Sequence, residues 1–221
     1  MLTVNQLTLT QRKDLTVLVD SLSFTLNDGE RLALIGEEGN GKSTLLHLIR
    51  NTLEKRSDLR VFYMPQDAGD LLDFSLSPVE LLSPSGKKEE RSRAGILLGS
   101  MKFTADEMNH PSAGLSGGQK AKLMFLMMAE SGANVLLLDE PTLNLSPLSG
   151  PVIRELLAEY PGCIITVSHD RRLIQEVCTR TVTLAPEGVR PSSFRDNFCQ
   201  NQTRSGAYRL VFVHFTFYNG V

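Results

Sequence analysis

The segment Gly36–Thr44, GEEGNGKST, constrains the fold of this chain more than any other feature. It contains two glycines separated by four residues and followed by lysine and serine. A short apolar run, 31–35, precedes it, and a helical pattern, 42–53, follows it. This arrangement is typical of a P-loop, in which glycines let the backbone curl into a concave row of N–H donors around a phosphate. The sequence therefore predicts a strand, a phosphate-binding loop and a helix.

The chemistry expected of this segment follows from its side chains. Lys42 can reach the outer phosphates of a nucleotide, and the Ser43 hydroxyl can ligate Mg²⁺. Thr44 adds a hydroxyl close to the same phosphates, and the helix that begins at Lys42 directs its positive end toward them. The predicted nucleotide-binding residues of this segment are Gly36, Glu37, Glu38, Gly39, Asn40, Gly41, Lys42, Ser43 and Thr44.

A second candidate segment is the apolar run 134–138, which two carboxylates follow. A buried strand here would deliver Asp139 to its carboxyl end, where a carboxylate can hold Mg²⁺ through the water shell of the ion. Glu140 would come next, able to accept a hydrogen bond from an attacking water and to act as a general base. Asp-Glu could also simply end a strand before Pro141, but the loop upstream favours the catalytic interpretation.

Along most of the chain, apolar runs alternate with helical patterns, which predicts an α/β fold with a parallel sheet covered on both faces. The predicted strands of this sheet are 31–35, 61–64, 134–138, 163–167 and 181–184. An antiparallel N-terminal flank is predicted from alternating apolar and polar residues at 2–10, 15–19 and 22–26. The proline-punctuated segment at about 67–114 predicts a short helical insertion.

Composition excludes several classes of protein. The 221 residues are 41% hydrophobic and 22% charged, and 23 basic residues against 25 acidic ones give a net charge of −2. We therefore expect no direct DNA binding, since strong nonspecific contact with phosphates needs an excess of positive charge. No stretch is apolar enough to span a bilayer, no secretory signal is visible, and the three cysteines form no CxxC pair. A cytoplasmic location is expected, with the inner face of the membrane as an alternative.

The segment Leu115–Gln119, LSGGQ, precedes a predicted helix and lies upstream of Asp139. Together with the P-loop and the Asp-Glu pair, it resembles the signature of ATP-binding cassette (ABC) ATPases. The resemblance implies an ABC-type P-loop NTPase fold, ATP and Mg²⁺ as cofactors, and hydrolysis of ATP to ADP and phosphate. A serine and two glycines at a helix N-terminus suit a second anion-binding end. The residues predicted there are Ser116, Gly117, Gly118 and Gln119.

Two further positions match the family in order along the chain. Gln66, after the strand 61–64, resembles the glutamine of the Q-loop, and His169, after the strand 163–167, resembles the switch histidine. A neutral imidazole there could hydrogen-bond the γ-phosphate and hold the general base in place. The resemblance implies a catalytic group of Glu140, His169 and Gln66, and a metal-binding group of Ser43, Gln66 and Asp139.

Partners are implied by the family rather than by the residues. ABC proteins hold ATP between the P-loop of one cassette and the signature of another, so this chain should pair head to tail with a second ABC cassette, identical or different. Segments such as 115–123 and 168–172 resemble the ABC-F branch, whose members mostly act on ribosomes. The alternatives are the ATP-binding subunit of a membrane transporter, with a transmembrane permease as partner, and a regulatory nucleotide-binding module with little turnover.

The sequence departs from the family pattern at two places. Ser146 stands where the D-loop usually has aspartate, and residues 10–14 contain no aromatic side chain to stack on adenine. We assign the ABC domain to residues 1–198, and we assign no role to the tail, residues 199–221.

Overall fold

A computed structural model of the chain describes residues 2–10, 17–145, 147, 149–185 and 188–192, with side chains within 25–184. The tail 199–221, Ser146 and residues 11–14 of the expected adenine site lie outside the described residues. The strands are β1 (Leu2–Thr10), β2 (Val17–Leu26), β3 (Arg31–Gly36), β4 (Val61–Met64), β5 (Val135–Asp139), β6 (Cys163–Val167), β7 (Arg180–Ala185) and β8 (Gly188–Ser192). The helices are α1 (Lys42–Leu53), α2 (Pro78–Leu82), α3 (Lys88–Ser100), α4 (Ala105–Asn109), α5 (Gly117–Glu130), α6 (Gly150–Ala158) and α7 (Arg171–Val177).

Six strands form one sheet in the order β4-β5-β6-β3-β7-β8. The first five are parallel, as the sequence predicted, and β8 is antiparallel to β7. The sequence pattern did not predict β8, which contains Pro191. A proline, which cannot donate to a ladder, is tolerated there because β8 is the last strand in the order. The loops that follow β3, β5 and β6 therefore begin at the same edge of the sheet.

The strands β1 and β2 pair separately in an antiparallel ribbon, with Leu2 opposite Leu26 and Thr10 opposite Val17. The sequence pattern predicted two strands where the structure has β2 alone. Register shifts interrupt the pairing of β1 with β2 at several points. Such irregularities break the strict alternation of apolar and polar residues, which explains why one long strand has the pattern of two short ones.

Alternate residues of the central strands pack into two hydrophobic cores, one on each face of the sheet. On β5, Val135 and Leu137 pack in the core that contains the apolar face of α1. Leu136 and Leu138 pack in the core that contains α5. Each of these four side chains is buried, a burial that contributes on the order of 1.5–3 kcal/mol per side chain. Strands buried on both faces have continuous apolar sequences, which is the pattern that predicted them.

The predicted helical insertion contains α2, α3 and α4, with short 3₁₀ turns at Ala68–Asp70 and Ser112–Gly114. Two of its helices begin with capping boxes, in which a serine or threonine side chain and a glutamate satisfy each other's backbone N–H groups. Ser77 pairs with Glu80 at α2, and Thr104 pairs with Glu107 at α4. Leu98 of α3 belongs to the same core as α5, so the insertion is packed onto the main domain.

Arg31, the first residue of β3, attaches this strand to the end of α6. Its guanidinium donates to the carbonyl oxygens of Leu157 and Tyr160, both at 3.0 Å, and to that of Ala158. The last carbonyl groups of a helix have no partner within the helix, so a buried helix end needs such donors. An arginine from another element satisfies them here.

The turn before β6 supplies a test of the packing. A Cβ atom at Gly162 would lie far inside contact distance of the Asn134 carbonyl oxygen and 2.7 Å from Cε1 of Tyr160. We expect Gly162→Ala to lower the free energy of unfolding by about 1–3 kcal/mol, because backbone must shift to make room. Urea denaturation followed by circular dichroism would measure the change.

The matched control is Gly95→Ala in α3, where a Cβ atom would meet nothing within 4 Å in the described part of the chain. This substitution should stabilise the protein by up to about 1 kcal/mol, since alanine favours helix over glycine. Equal effects at the two positions would contradict the packing described for Gly162.

Candidate functional site

The loop between β3 and α1 is shaped by glycines. Gly39 and Gly41 have φ angles of 83° and 81°, in the left-handed region. Gly36, with φ 147°, lies so close to the backbone of Leu184 on β7 that no side chain would fit. Gly41 is the N-cap of α1, and no side chain of the described residues caps this helix. The first N–H groups of α1 therefore remain available to an anion.

Lys42 turns its side chain back into this loop. Its Nζ atom donates to the carbonyl oxygens of Gly36 at 2.9 Å and Glu37 at 2.6 Å, and the residue is buried. Asn40 fixes the outer side of the loop by donating to the carbonyl oxygen of Leu184 at 3.2 Å. The loop thus surrounds a single ammonium group, which is the charge that a phosphate requires.

Asp139 ends β5 and is only 3% exposed. Burial raises the pKa of its carboxyl group, while a hydrogen bond from Ser43 and the charges of His47 and Lys42 act in the opposite direction. Its Oδ1 atom is buried with no hydrogen-bond partner in the described structure. A buried unpaired oxygen costs about 1–3 kcal/mol or more, so one at the end of a strand indicates a ligand.

Glu140 follows in a strained backbone conformation, with φ 46°. Its N–H group donates to the Val167 carbonyl oxygen at 2.9 Å, and its Oε2 atom accepts from the His169 backbone N–H at 3.2 Å. The His169 Nε2 atom lies 3.6 Å from Glu140 Oε1, which is buried without a hydrogen-bond partner among the described residues. Burial raises the pKa of Glu140, and the contacts with His169 lower it.

A cleft of ≈ 750 Å³ lies beside these groups. Ser43, Gln66 and Asp139 line it, so the structure brings together the three residues that the sequence predicted as metal ligands. Gly117 of the LSGGQ segment lines the same cleft. Glu140 and His169 contact each other but are not among the lining residues of the cleft.

The LSGGQ segment begins α5, with Ser116 as the N-cap. The Ser116 Oγ atom accepts from the Gln119 N–H at 3.3 Å, and Gln119 Oε1 accepts from the Ser116 N–H at 2.8 Å. A Cβ atom at Gly118 would lie 3.5 Å from the Asn144 carbonyl oxygen, so the segment after Glu140 passes close to this helix end. The predicted second anion-binding end is thus a capped helix N-terminus.

The sequence analysis did not predict a polar cluster at the edge of the cleft. The Tyr63 hydroxyl and His47 Nε2 are 3.2 Å apart, and the Arg50 guanidinium lies 4.9 Å from the centre of the Tyr63 ring. Burial, together with the charge of Asp139, raises the pKa of Tyr63 to about 12. Helical spacing was the available signal, because His47 lies four residues after Ser43 on the same face of α1.

The donor set around the cleft suits a hard cation that keeps its water. Where side chains are described, no group of three or more His, Cys, Asp and Glu residues could hold a metal. Mg²⁺ in nucleotide sites uses one or two protein ligands together with water and phosphate oxygens. The Ser43 hydroxyl and the unpaired Asp139 oxygen fit that requirement.

The fold and the loop between β3 and α1 define a P-loop domain, and the comparison with known families agrees. The family model described as "ABC transporter" matches residues 19–143, more than half of the chain. The chain therefore belongs to this family and is an ABC ATPase domain, as the resemblance implied.

Curated relatives include members of the F family. ABC transporter F family member 4 of Arabidopsis thaliana is 39% identical over 72% of this chain and 24% of its own length. The protein YdiF of Bacillus subtilis is 36% identical over 78% of this chain and 28% of its own length. The chain thus spans about a quarter of the length of these relatives.

Among solved structures, a dimeric post-hydrolysis state of the ATP-binding cassette MJ0796 bound to ADP and Pi is similar, with a TM-score of 0.70. The match covers 87% of this chain and 97% of that one at 21% identity, which confirms the ABC cassette fold. Within the described residues, no helix has both the length and the apolar character needed to cross a membrane.

The first prediction for this site concerns Lys42. We expect Lys42→Ala to weaken ATP binding at least tenfold, because the loop loses its only buried ammonium among the described residues and the charge-assisted bond to phosphate. Isothermal titration calorimetry would measure the affinity. Lys55→Ala, on the exposed surface just after α1, is the control and should bind ATP normally. Undiminished affinity in the Lys42 variant would contradict the P-loop assignment.

The second prediction concerns pH. The pKa of Glu140 is raised in the folded chain, so the folded state holds this proton more tightly than the unfolded state. Ionised Glu140 therefore destabilises the fold, and the destabilisation grows as pH rises above the usual carboxyl range. Without nucleotide, Glu140→Gln should raise the melting temperature at pH 8, by roughly 2–4 °C for each kcal/mol of relieved desolvation.

Thermal denaturation between pH 4 and pH 8 would measure this difference, which should shrink as the pH falls and wild-type Glu140 takes up its proton. Glu155→Gln, on the exposed surface of α6, is the control and should change stability little at any pH. A difference between wild type and Glu140→Gln that grows toward low pH would contradict the assigned direction.

Proposed function

We propose that this chain binds Mg²⁺-ATP and hydrolyses it as one half of a head-to-tail pair of cassettes. The observation that carries the proposal is the pair of buried carboxylate oxygens, Asp139 Oδ1 and Glu140 Oε1, without hydrogen-bond partners in the described structure. Two adjacent buried acceptors without hydrogen bonds lower the stability of the folded chain. They suit a site that binds a cation and a water molecule.

Glu140 is proposed as the general base. Its raised pKa brings it closer to neutrality, where a base can take a proton and return it. The Val167 carbonyl oxygen and the His169 backbone N–H hold it from two sides, so its Oε1 atom has a defined direction. Proton transfer from the attacking water to this oxygen would leave hydroxide to bond with the γ-phosphorus as its bond to the leaving ADP oxygen breaks.

His169 and Lys42 are proposed to bind the phosphates. The His169 ring is exposed while its backbone N–H is fixed on Glu140, so the imidazole can reach a γ-phosphate oxygen without displacing the base. Lys42 would exchange its two carbonyl partners for phosphate oxygens, a gain because an ammonium bonds more strongly to an anion.

Ser43, Asp139 and Gln66 are proposed to hold Mg²⁺, either directly or through its water shell. When bound, Mg²⁺ neutralises negative charge that develops on the phosphates. The unpaired Oδ1 atom of Asp139 and the common cleft of these three residues support this set. Asp139 ends β5, Gln66 follows β4 and Ser43 lies in the first turn of α1, so these three elements position the proposed metal ligands.

A second cassette is proposed as the partner because one chain supplies one P-loop and one LSGGQ segment. The LSGGQ segment would bind the γ-phosphate of nucleotide on the other cassette through Ser116, Gly117, Gly118 and Gln119. The pair would open when phosphate leaves. The similar MJ0796 cassette is dimeric with ADP and Pi bound, which supports pairing in this fold. The second cassette is either another copy of this chain or a different protein.

Similarity to F family members favours an ABC-F-like cassette over a transporter subunit. Under this proposal, nucleotide-driven closure acts on a large assembly such as the ribosome. A transmembrane permease is the alternative partner, and the insertion at 67–114 would then receive it. We propose 1–198 as the bounds of the cassette.

The test of the proposed function is Glu140→Gln. This variant should bind ATP with unchanged affinity and lose at least 100-fold in turnover, because the amide cannot accept the proton. With Mg²⁺-ATP it should accumulate as a closed dimer, which analytical ultracentrifugation would detect. Wild type, Glu140→Gln with ADP, and Glu155→Gln with ATP are the controls. Unchanged turnover would remove Glu140 as the base, and the absence of any ATP-dependent dimer would contradict the homodimeric form of the pair.

A further inference from the structure

Two capping boxes, one at α4 and one at α5, are joined by a hydrogen bond between their side chains. Thr104 and Glu107 form the first box, and Ser116 and Gln119 form the second. The Gln119 Nε2 atom donates to the Glu107 Oε1 atom, while Glu107 Oε2 accepts from the Thr104 backbone N–H at 2.8 Å. The Glu107 side chain of the helical insertion thus contacts the LSGGQ segment directly.

This carboxylate holds the NH₂ end of the Gln119 amide, while the Ser116 N–H holds its oxygen. Glu107 can only accept, since hydrogen bonds from the Thr104 backbone and from Gln119 lower its pKa and keep it ionised at neutral pH. The Ser116 backbone N–H can only donate, and it donates to Gln119 Oε1. Only one orientation of the amide satisfies both neighbours. Without Glu107, only the Ser116 N–H would hold the amide, and the Gln119 side chain could rotate away from it.

The orientation of Gln119 in turn affects Ser116. The Ser116 Oγ atom accepts from the Gln119 N–H, so its own proton is free to be donated outward. A displaced Gln119 side chain would leave the Ser116 backbone N–H without its acceptor and loosen the N-cap. A donor that is already held in its binding orientation binds an anion more tightly than a mobile donor, because less conformational entropy is lost on binding.

We propose that Glu107 is a positioning residue that orients Ser116 and Gln119 for the γ-phosphate of nucleotide bound to the opposite cassette. This inference rests on the proposed function, since it requires that the LSGGQ segment binds nucleotide across the pair. Glu107 lies in the insertion and belongs to neither the P-loop nor the cleft. Its loss should therefore weaken closure of the pair and leave binding of ATP to the single chain intact.

The experiment uses the full chain in the Glu140→Gln background. Adding Glu107→Ala should leave the ATP affinity of the monomer, measured by calorimetry at low protein concentration, within twofold of the parent. It should raise the ATP concentration for half-maximal dimer formation, measured by analytical ultracentrifugation, about tenfold, the size expected for one charged hydrogen bond at a partly exposed site. Equal dimer formation by parent and variant would overturn the proposal.

Thr104→Ala is the matched control. It removes the hydroxyl that accepts from the Glu107 N–H at 3.3 Å. The Thr104 backbone N–H still donates to the Glu107 carboxylate, which still accepts from Gln119. It should destabilise α4 through the loss of its N-cap hydroxyl and leave dimer formation near the parent level. If Thr104→Ala impaired dimer formation as much as Glu107→Ala, the effect would come from α4 alone, and the positioning proposal would be wrong.

Glu107→Gln is the second variant, and it tests the positioning role of Glu107 if Glu107→Ala does not fold. The amide keeps the size of the side chain but offers one acceptor oxygen where the carboxylate uses two. We expect an impairment between those of Thr104→Ala and Glu107→Ala. Dimer formation by Glu107→Gln no worse than that by Thr104→Ala would overturn the inference.

The two proposals fail in different ways. If the parent Glu140→Gln protein binds ATP but forms no dimer, the homodimeric form of the pair fails, and the role of Glu107 in a homodimer fails with it. If the parent forms ATP-dependent dimers that Glu107→Ala leaves unchanged, only the assignment of Glu107 fails.

Discussion

The register of three parallel strands is the constraint on which the site depends. Val167 at the end of β6 is opposite Leu34 of β3 on one side and Asp139 of β5 on the other. The loop after β3, the two carboxylates and His169 therefore all follow strands that end at the same edge of the sheet. A shift of one residue in the pairing of β5 with β6 would move Glu140 away from the Val167 carbonyl oxygen and turn Asp139 to the opposite face.

Desolvation of acidic groups is the cost of this arrangement. Asp139 and Glu140 each keep one buried oxygen without a hydrogen bond in the described structure, and burial raises the pKa of both. Glu140 also adopts a backbone conformation that residues other than glycine rarely have. The two apolar cores, which bury every residue of β5 and β6, stabilise the sheet enough to hold these groups in place.

Sequence predicted the elements that depend on local pattern or on a motif. The five parallel strands, the insertion and the P-loop belong to this group, because a continuous apolar run or a glycine spacing identifies each. The antiparallel edge strand β8 and the continuity of β2 were missed, since proline and irregular pairing disturb their alternation. The partnership of Glu107 with Gln119 joins residues on different helices, and nothing in either helix alone indicates it.

The cluster of His47, Tyr63 and Arg50 was missed for a related reason. His47 and Arg50 lie on α1 and Tyr63 on β4, and the packing of that helix over the sheet brings them into contact. The departures at Ser146 and at residues 11–14 lie outside the described residues, so the expectations attached to them stay predictions.

The attachment of Arg31 has a mechanical consequence. One guanidinium joins the beginning of β3 to the last two carbonyl groups of α6 and to that of Tyr160 just after it, and β3 continues directly into the glycine-rich loop. A long arginine with several donors allows little sliding between the two elements. Strand β3, the loop that follows it and α6 should consequently move as one rigid body.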